Sequence, residues 1–197
     1  MTKSNRKKSQ HETTAICVFC ASSDHVAEEY VTVAGKLGEA MASRGITLVY
    51  GGGNNGLMGD LSASMHANGG RIIGVITRGL KELGYAFDGI DELIVTDGIR
   101  ERKAIMESRA HGFIGLPGGF GTLEELLEIL TLKQLCFHAK PVVLLNVHGF
   151  FDNLLQQFET AYSERFIDES CRGLYHVTAS ITDALEYMCG QSQVVVE

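Results

Sequence analysis

The sequence has no tryptophan and only 2 prolines, and none of its apolar runs approaches the roughly 18 residues that suggest a membrane span. So little proline leaves no Pro-rich linker to divide the chain. Its 197 residues fit one domain of ordinary size. Cysteine is sparse and scattered: Cys17, Cys20, Cys136, Cys171 and Cys189 make an odd set. That excludes a disulfide framework of the secreted kind and points to a reducing cytoplasm. The beginning lacks the apolar core of a secretory signal, so residues 1–13 read as a disordered basic tail. Basic excess is missing as well. Lys3, Arg6, Lys7 and Lys8 sit in the tail, which leaves 13 basic against 24 acidic residues in the rest, a body at −11. Such a body is unsuited to nucleic acid, which is bound through basic patches against phosphates. An anionic ligand would have to be held by local devices.

What is present is apolar and periodic. Hydrophobic residues are 45% of the chain and charged residues 21%, enough for a packed core and too few charges for global disorder. Short Val/Ile/Leu-rich runs read as strands at 15–19, 46–50, 72–76, 93–96, 113–116, 141–145 and 175–178. Segments with helical spacing lie between them, at about 30–43, 57–68, 99–110, 123–135, 150–162 and 181–188. Residues 77–91, with Gly79, Gly84 and Gly89, read as a loop holding at most one short helical turn. The strand runs are continuously apolar rather than alternating, as expected when both faces are covered. The fold class is therefore α/β: a single Rossmann-like domain over 14–190 with a doubly wound, mostly parallel sheet, followed by a C-terminal end at 191–197. Ligands in such folds sit at the carboxyl ends of the strands, where strand order reverses.

Two glycine-rich segments fall at strand ends. In Leu116-Pro117-Gly118-Gly119-Phe120-Gly121-Thr122, three glycines let the backbone approach a ligand, and the following helix would aim unpaired N–H groups and its positive dipole end at the loop. This suits a phosphate. The loop is neither a dinucleotide fingerprint nor a P-loop, because the G-x-G-x-x-G spacing and the lysine are absent. Thr122-x-x-Glu125 also spells a capping box, which would turn the Glu125 carboxylate onto the backbone instead of into a cleft. Both readings fit the spacing. The second segment, 51–56, is either part of a ligand cleft or a tight turn that serves helix packing. Arg102 and Arg109, seven apart, share a helix face and could meet an anion; a solvated helix with a Lys103–Glu107 pair is the plainer reading.

Other chemistry finds no support. Cys17-x-x-Cys20 lies on a strand, where positions three apart face opposite ways, and no second such pair exists to complete a zinc site. The 7 histidines show no metal-ligand spacing, and no G-x-S-x-G elbow appears. No metal and no organic cofactor is expected.

The segment Pro117-Gly118-Gly119-Phe120-Gly121-Thr122-Leu123-Glu124-Glu125 resembles the PGGxGTxxE signature of the LOG (Lonely Guy) family, cytokinin riboside 5′-monophosphate phosphoribohydrolases also labelled lysine decarboxylases. Tyr50-Gly51-Gly52-Gly53-Asn54-Asn55-Gly56-Leu57-Met58-Gly59 is similar to the family's YGGGxxGLMG. Cys17–Ser23 is similar to its first strand and loop, Glu101-Arg102-Lys103 to its ERK segment, and Lys140-Pro141 with the run to Asn146 to its KP-LLN strand. The resemblance implies hydrolysis of a nucleoside 5′-monophosphate to free base and ribose 5-phosphate, as in cytokinin biosynthesis. It implies a homodimer or an assembly of dimers, with Arg102 and Glu125 as the catalytic pair. It further implies a substrate-binding set of Lys103, Gly118, Gly119, Phe120, Gly121, Thr122, Leu123, Glu124 and Thr131, with Gly52, Gly53 and Ser22. Partners would be the small nucleotide alone, with no nucleic acid and no membrane. Two departures stand out. The loop after the third strand lacks the family's proline, Glu82 being the nearest acid there, and the helix that carries Arg102 begins without the usual His. The alternative reading is a non-catalytic binding protein for a nucleotide or, like the molybdenum-cofactor carriers, for a cofactor.

Overall fold

A computed structural model describes residues 14–191. The expected tail at 1–13 and the segment 192–197 lie outside the described residues. Seven strands, β1 (Ala15–Phe19), β2 (Thr47–Tyr50), β3 (Ile72–Thr77), β4 (Glu92–Thr96), β5 (Gly112–Gly115), β6 (Val142–Leu145) and β7 (His176–Thr178), form one sheet. All pairings are parallel, in the order β4-β3-β2-β1-β5-β6-β7. The chain thus winds outward from β1 to β4, returns across β1 to β5, and winds outward the other way. The doubly wound expectation is borne out, and the switch point lies between β1 and β5.

Helices cover both faces. On one side α1 (Glu28–Ser43), α2 (Gly56–Ala67) and α7 (Ile181–Gln191) bury Leu37, Met41, Leu61, Met65 and Leu185 against Ile16 and Val18. On the other, α4 (Ile99–Arg109), α5 (Phe120–Gln134) and α6 (Asp152–Ser163) bring Met106, Leu126 and Ile129, with Leu154 and Phe158 partly buried, against Cys17 and Phe19. Alternate residues of β1 feed opposite layers, which is why its sequence reads as an unbroken apolar run. Cys17 and Cys20 fall in opposite layers for the same reason. The expected short turn within 77–91 is α3 (Arg78–Glu82).

One boundary moves enough to matter. Helix α5 begins at Phe120, three residues before the expected start, with Gly119 as its N-cap and no side-chain cap. Glycine spacing had placed 118–122 wholly in the loop. Gly121 and Thr122 instead lie in the first helical turn, where N–H groups lack intrahelical acceptors and glycine costs less than in the interior. Thr122 is therefore not the N-cap, and the capping box does not form.

Candidate functional site

The site assembles where β1 and β5 end. Leu116 N–H donates to the Phe19 carbonyl at 2.9 Å and Ala21 N–H to the Pro117 carbonyl at 3.2 Å, so the two loops run side by side. The approach leaves no room at position 118: a Cβ there would lie 2.1 Å from Thr122 Oγ1 and 3.0 Å from Ala21 N. The loop then enters α5 with no acidic residue in its first turn. The exposed start of this 15-residue helix offers free N–H donors and a positive dipole end. Phe120 stands 95% exposed at the rim.

Arg102 reaches the same place from α4. Its Nε donates to the Val75 carbonyl at 2.9 Å, and its Nη1 donates to Glu125 Oε1 at 3.0 Å. Both side chains are almost out of solvent, 10% and 13% exposed. Glu125 sits on the second turn of α5 and turns its carboxylate onto Arg102 instead of the backbone, which settles the choice the spacing had left open. Burial raises its pKa above the usual carboxylate range, and Arg102 offsets this only in part. The result is a cleft of about 250 Å³ with Arg102 and Glu125 on one side and Gly119, Phe120, Gly121 and Thr122 on another. Cys20, Ala21 and Ser22 close it. Burial pushes the Cys20 thiol well up, with the Glu125 charge adding to it, so this sulfur stays a neutral thiol.

Several expected residues lie elsewhere. Lys103 is held by Glu124 and by Glu128, the latter at 3.0 Å, instead of pairing with Glu107, and it does not line the cleft. Glu124 faces that lysine, and Leu123 packs against the core. Thr131 is exposed and donates to the Leu127 carbonyl at 2.7 Å. It borders a separate apolar cavity with Tyr162 and Tyr175, because α5 has carried it away from the strand ends by about three turns. Gly52 and Gly53 are buried and tied to the segment after α3: the Gly52 carbonyl accepts from Phe87 N–H at 3.1 Å, and Gly53 bridges Ala86. Neither lines the cleft. Arg109 faces away, with both guanidinium arms 2.7 Å from the Glu92 carboxylate. Among the described residues no group of three or more His, Cys, Asp or Glu is placed to hold a metal ion.

Comparison with known proteins gives the chain a family. The family model described as "Possible lysine decarboxylase" matches residues 58–188. The chain is similar to the cytokinin riboside 5′-monophosphate phosphoribohydrolase LOG of Oryza sativa subsp. japonica, 47% identical over 157 residues that cover 80% of this chain and 65% of the relative. It is also similar to LOG2 of Arabidopsis thaliana, a protein of the same name, 44% identical over 157 residues covering 80% and 74%. The chain belongs to the LOG family. It spans about two thirds to three quarters of the length of these two relatives. Among solved structures, the molybdenum cofactor carrier protein MCP from Chlamydomonas reinhardtii matches with a TM-score of 0.71 at 26% identity, covering 93% of this chain and 99% of that one.

Within the family pattern, Glu82 lies exposed on α3 and does not line the cleft. Sequence reasoning missed Cys20 and Ala21 as cleft walls, the Val75 carbonyl as a partner of Arg102, and Gly51 as its neighbour. A backbone carbonyl leaves no trace in residue type. Gly51 did leave one, as the first of three glycines, but the run alone does not say which glycine meets what.

Proposed function

We propose that the protein is a hydrolase that cleaves the N-glycosidic bond of cytokinin riboside 5′-monophosphates, with AMP as a second substrate. The observation that carries this reading is the buried Arg102–Glu125 pair beside the open N-terminus of α5. The 5′-phosphate docks on the free N–H groups at 119–122, with the Ser22 loop opposite. This anchors the sugar and supplies remote binding energy for the bond to be broken. As the base departs, positive charge grows on the ribose, and a carboxylate beside it stabilises that charge. Water adds at C1′ and the C1′–N bond breaks; one hydrogen of the water stays on the new C1′ hydroxyl, the other passes by way of Glu125 to solvent, and the leaving base takes its proton from solvent. Glu125 orients the water and takes up its proton, a role suited to a carboxyl whose pKa burial has raised. Arg102 favours the ionised form of Glu125, partly offsetting its burial, and aims it. None of these steps calls on a metal or an organic cofactor.

The names of the two plant relatives support the substrate class. The subunit works in the cytoplasm as a homodimer or an assembly of dimers. A partner subunit would cover some of the largely exposed apolar side chains, such as Leu135, Phe137 and Phe166. No helix of the described residues is long and apolar enough to cross a membrane. The direct test is incubation with isopentenyladenosine 5′-monophosphate and with AMP, assaying free base. Release from the first is expected, and release from neither overturns the reading. The likeness to the carrier protein favours one alternative: a ligand retained through purification, without base release, would mark a binding protein.

A further inference from the structure

Gly51, which closes β2, lies directly against Arg102. A Cβ at position 51 would stand 2.1 Å from Arg102 Nη2 and 3.4 Å from Cζ, with Met58 Sδ at 3.2 Å. An arginine tip usually steps aside. This one is pinned, with Nε on the Val75 carbonyl at 2.9 Å and Nη1 on Glu125 at 3.0 Å. Swinging away from a methyl would break one bond or both. Backbone shape does not explain the glycine, since Gly51 avoids the left-handed region that Gly52 adopts at φ +76°. What glycine supplies here is the missing side chain.

We propose that Gly51 is a positioning residue for the reaction: its bare Cα seats the Arg102 guanidinium, so that Nη1 is presented to Glu125. The guanidinium is then bonded on two sides, Nε to β3 and Nη1 to Glu125, and its Nη2 end occupies the space a side chain at 51 would take. Arg102 serves the carboxylate, and the phosphate is left to the amides of α5. Only the activity readout below rests on the hydrolase reading.

The test is Gly51→Ala in the full chain. The expected result is a fall in kcat on the order of 100-fold with KM nearly unchanged, the size of loss that a misplacement of about 1 Å produces. The acid limb of the pH–kcat profile should move to higher pH, because Glu125 loses the cation that favours its ionised form. Thermal melting gives a second readout. Gly51→Ala should lower Tm clearly in the otherwise native chain, and by much less in an Arg102→Ala background, where the clashing group is gone. Gly35→Ala, which meets no atom within 4 Å, is the control and should leave turnover unchanged. An unchanged kcat and pH profile in Gly51→Ala, or equal Tm losses in both backgrounds, overturns the inference. If the native chain releases no base, the hydrolase reading fails by itself, and the melting comparison still decides the role of Gly51.

Discussion

Two glycine-rich loops flank the central strand β1, one at the end of β2 and one at the end of β5. They look alike in sequence and do opposite work. In 51–56 the glycines face protein. A Cβ at Gly53 would meet Met58 Cε at 2.7 Å, and one at Gly56 the backbone of 21–23 at 2.6–2.8 Å. Asn55 Nδ2 donates to the Ser22 carbonyl at 2.6 Å, and Asp24 Oδ1 accepts from Gly56 N–H at 2.6 Å, so this loop clamps its neighbour. In 117–122, Gly118 is likewise closed in, but a Cβ at Gly119 or Gly121 would enter open space beside unpaired N–H groups. A glycine run says that the backbone must come close to something. Whether that something is protein or ligand is decided by what the missing Cβ would have touched.

The largest effect is expected on the ligand side. Glu125→Gln should lower turnover by about 10²–10⁴-fold, the range typical of a lost acid–base group, while circular dichroism stays native. Retained turnover would return Glu125 to a purely structural role. On the scaffold side, Gly56→Ala forces a side chain onto φ +55° and into backbone atoms. It should cost about 2–4 kcal/mol in urea denaturation. Gly119→Ala should leave stability within about 0.5 kcal/mol while raising KM for the nucleotide. If the two glycine variants behaved alike, the contrast between the loops would be broken.

The pH dependence of stability sharpens the same contrast. Burial raises the folded-state pKa of Glu125 above its unfolded value. Its favourable contribution is therefore full below the unfolded pKa and is lost as pH rises through the folded one. Chemical denaturation of Glu125→Gln and the native chain at pH 5 and pH 8 should show the variant gaining relative to the native chain at the higher pH. The smallest effect belongs to Arg109→Ala. The Arg109–Glu92 pair is one-third exposed, so its loss should cost at most about 1 kcal/mol and leave turnover intact.

Much of this was legible in the sequence, for physical reasons that differ by element. Buried parallel strands have to be continuously apolar, so 15–19, 72–76 and 113–116 stood out to within about a residue of their bounds. Arg102 and Glu125 were visible through family resemblance, and their pairing across 23 positions is a tertiary fact that no local spacing encodes. The start of α5 was obscured because glycine signals a loop, although a first helical turn tolerates it. Gly52 and Gly53 were placed at the ligand because their glycine-rich run ends a strand and resembles the family's, yet the chain turns them toward the segment after α3. Thr131 shares a helix with Glu125 and not its cavity. Position along a helix fixes a face, and only packing decides which cavity that face meets.

The claim that the open loop, and not the packed one, holds the phosphate can be tested by following backbone amide NMR signals as ribose 5-phosphate is added. The largest shifts are expected at 119–122, with small ones at 51–56. Larger shifts at 51–56, or none at 119–122 under saturating ligand, would contradict it.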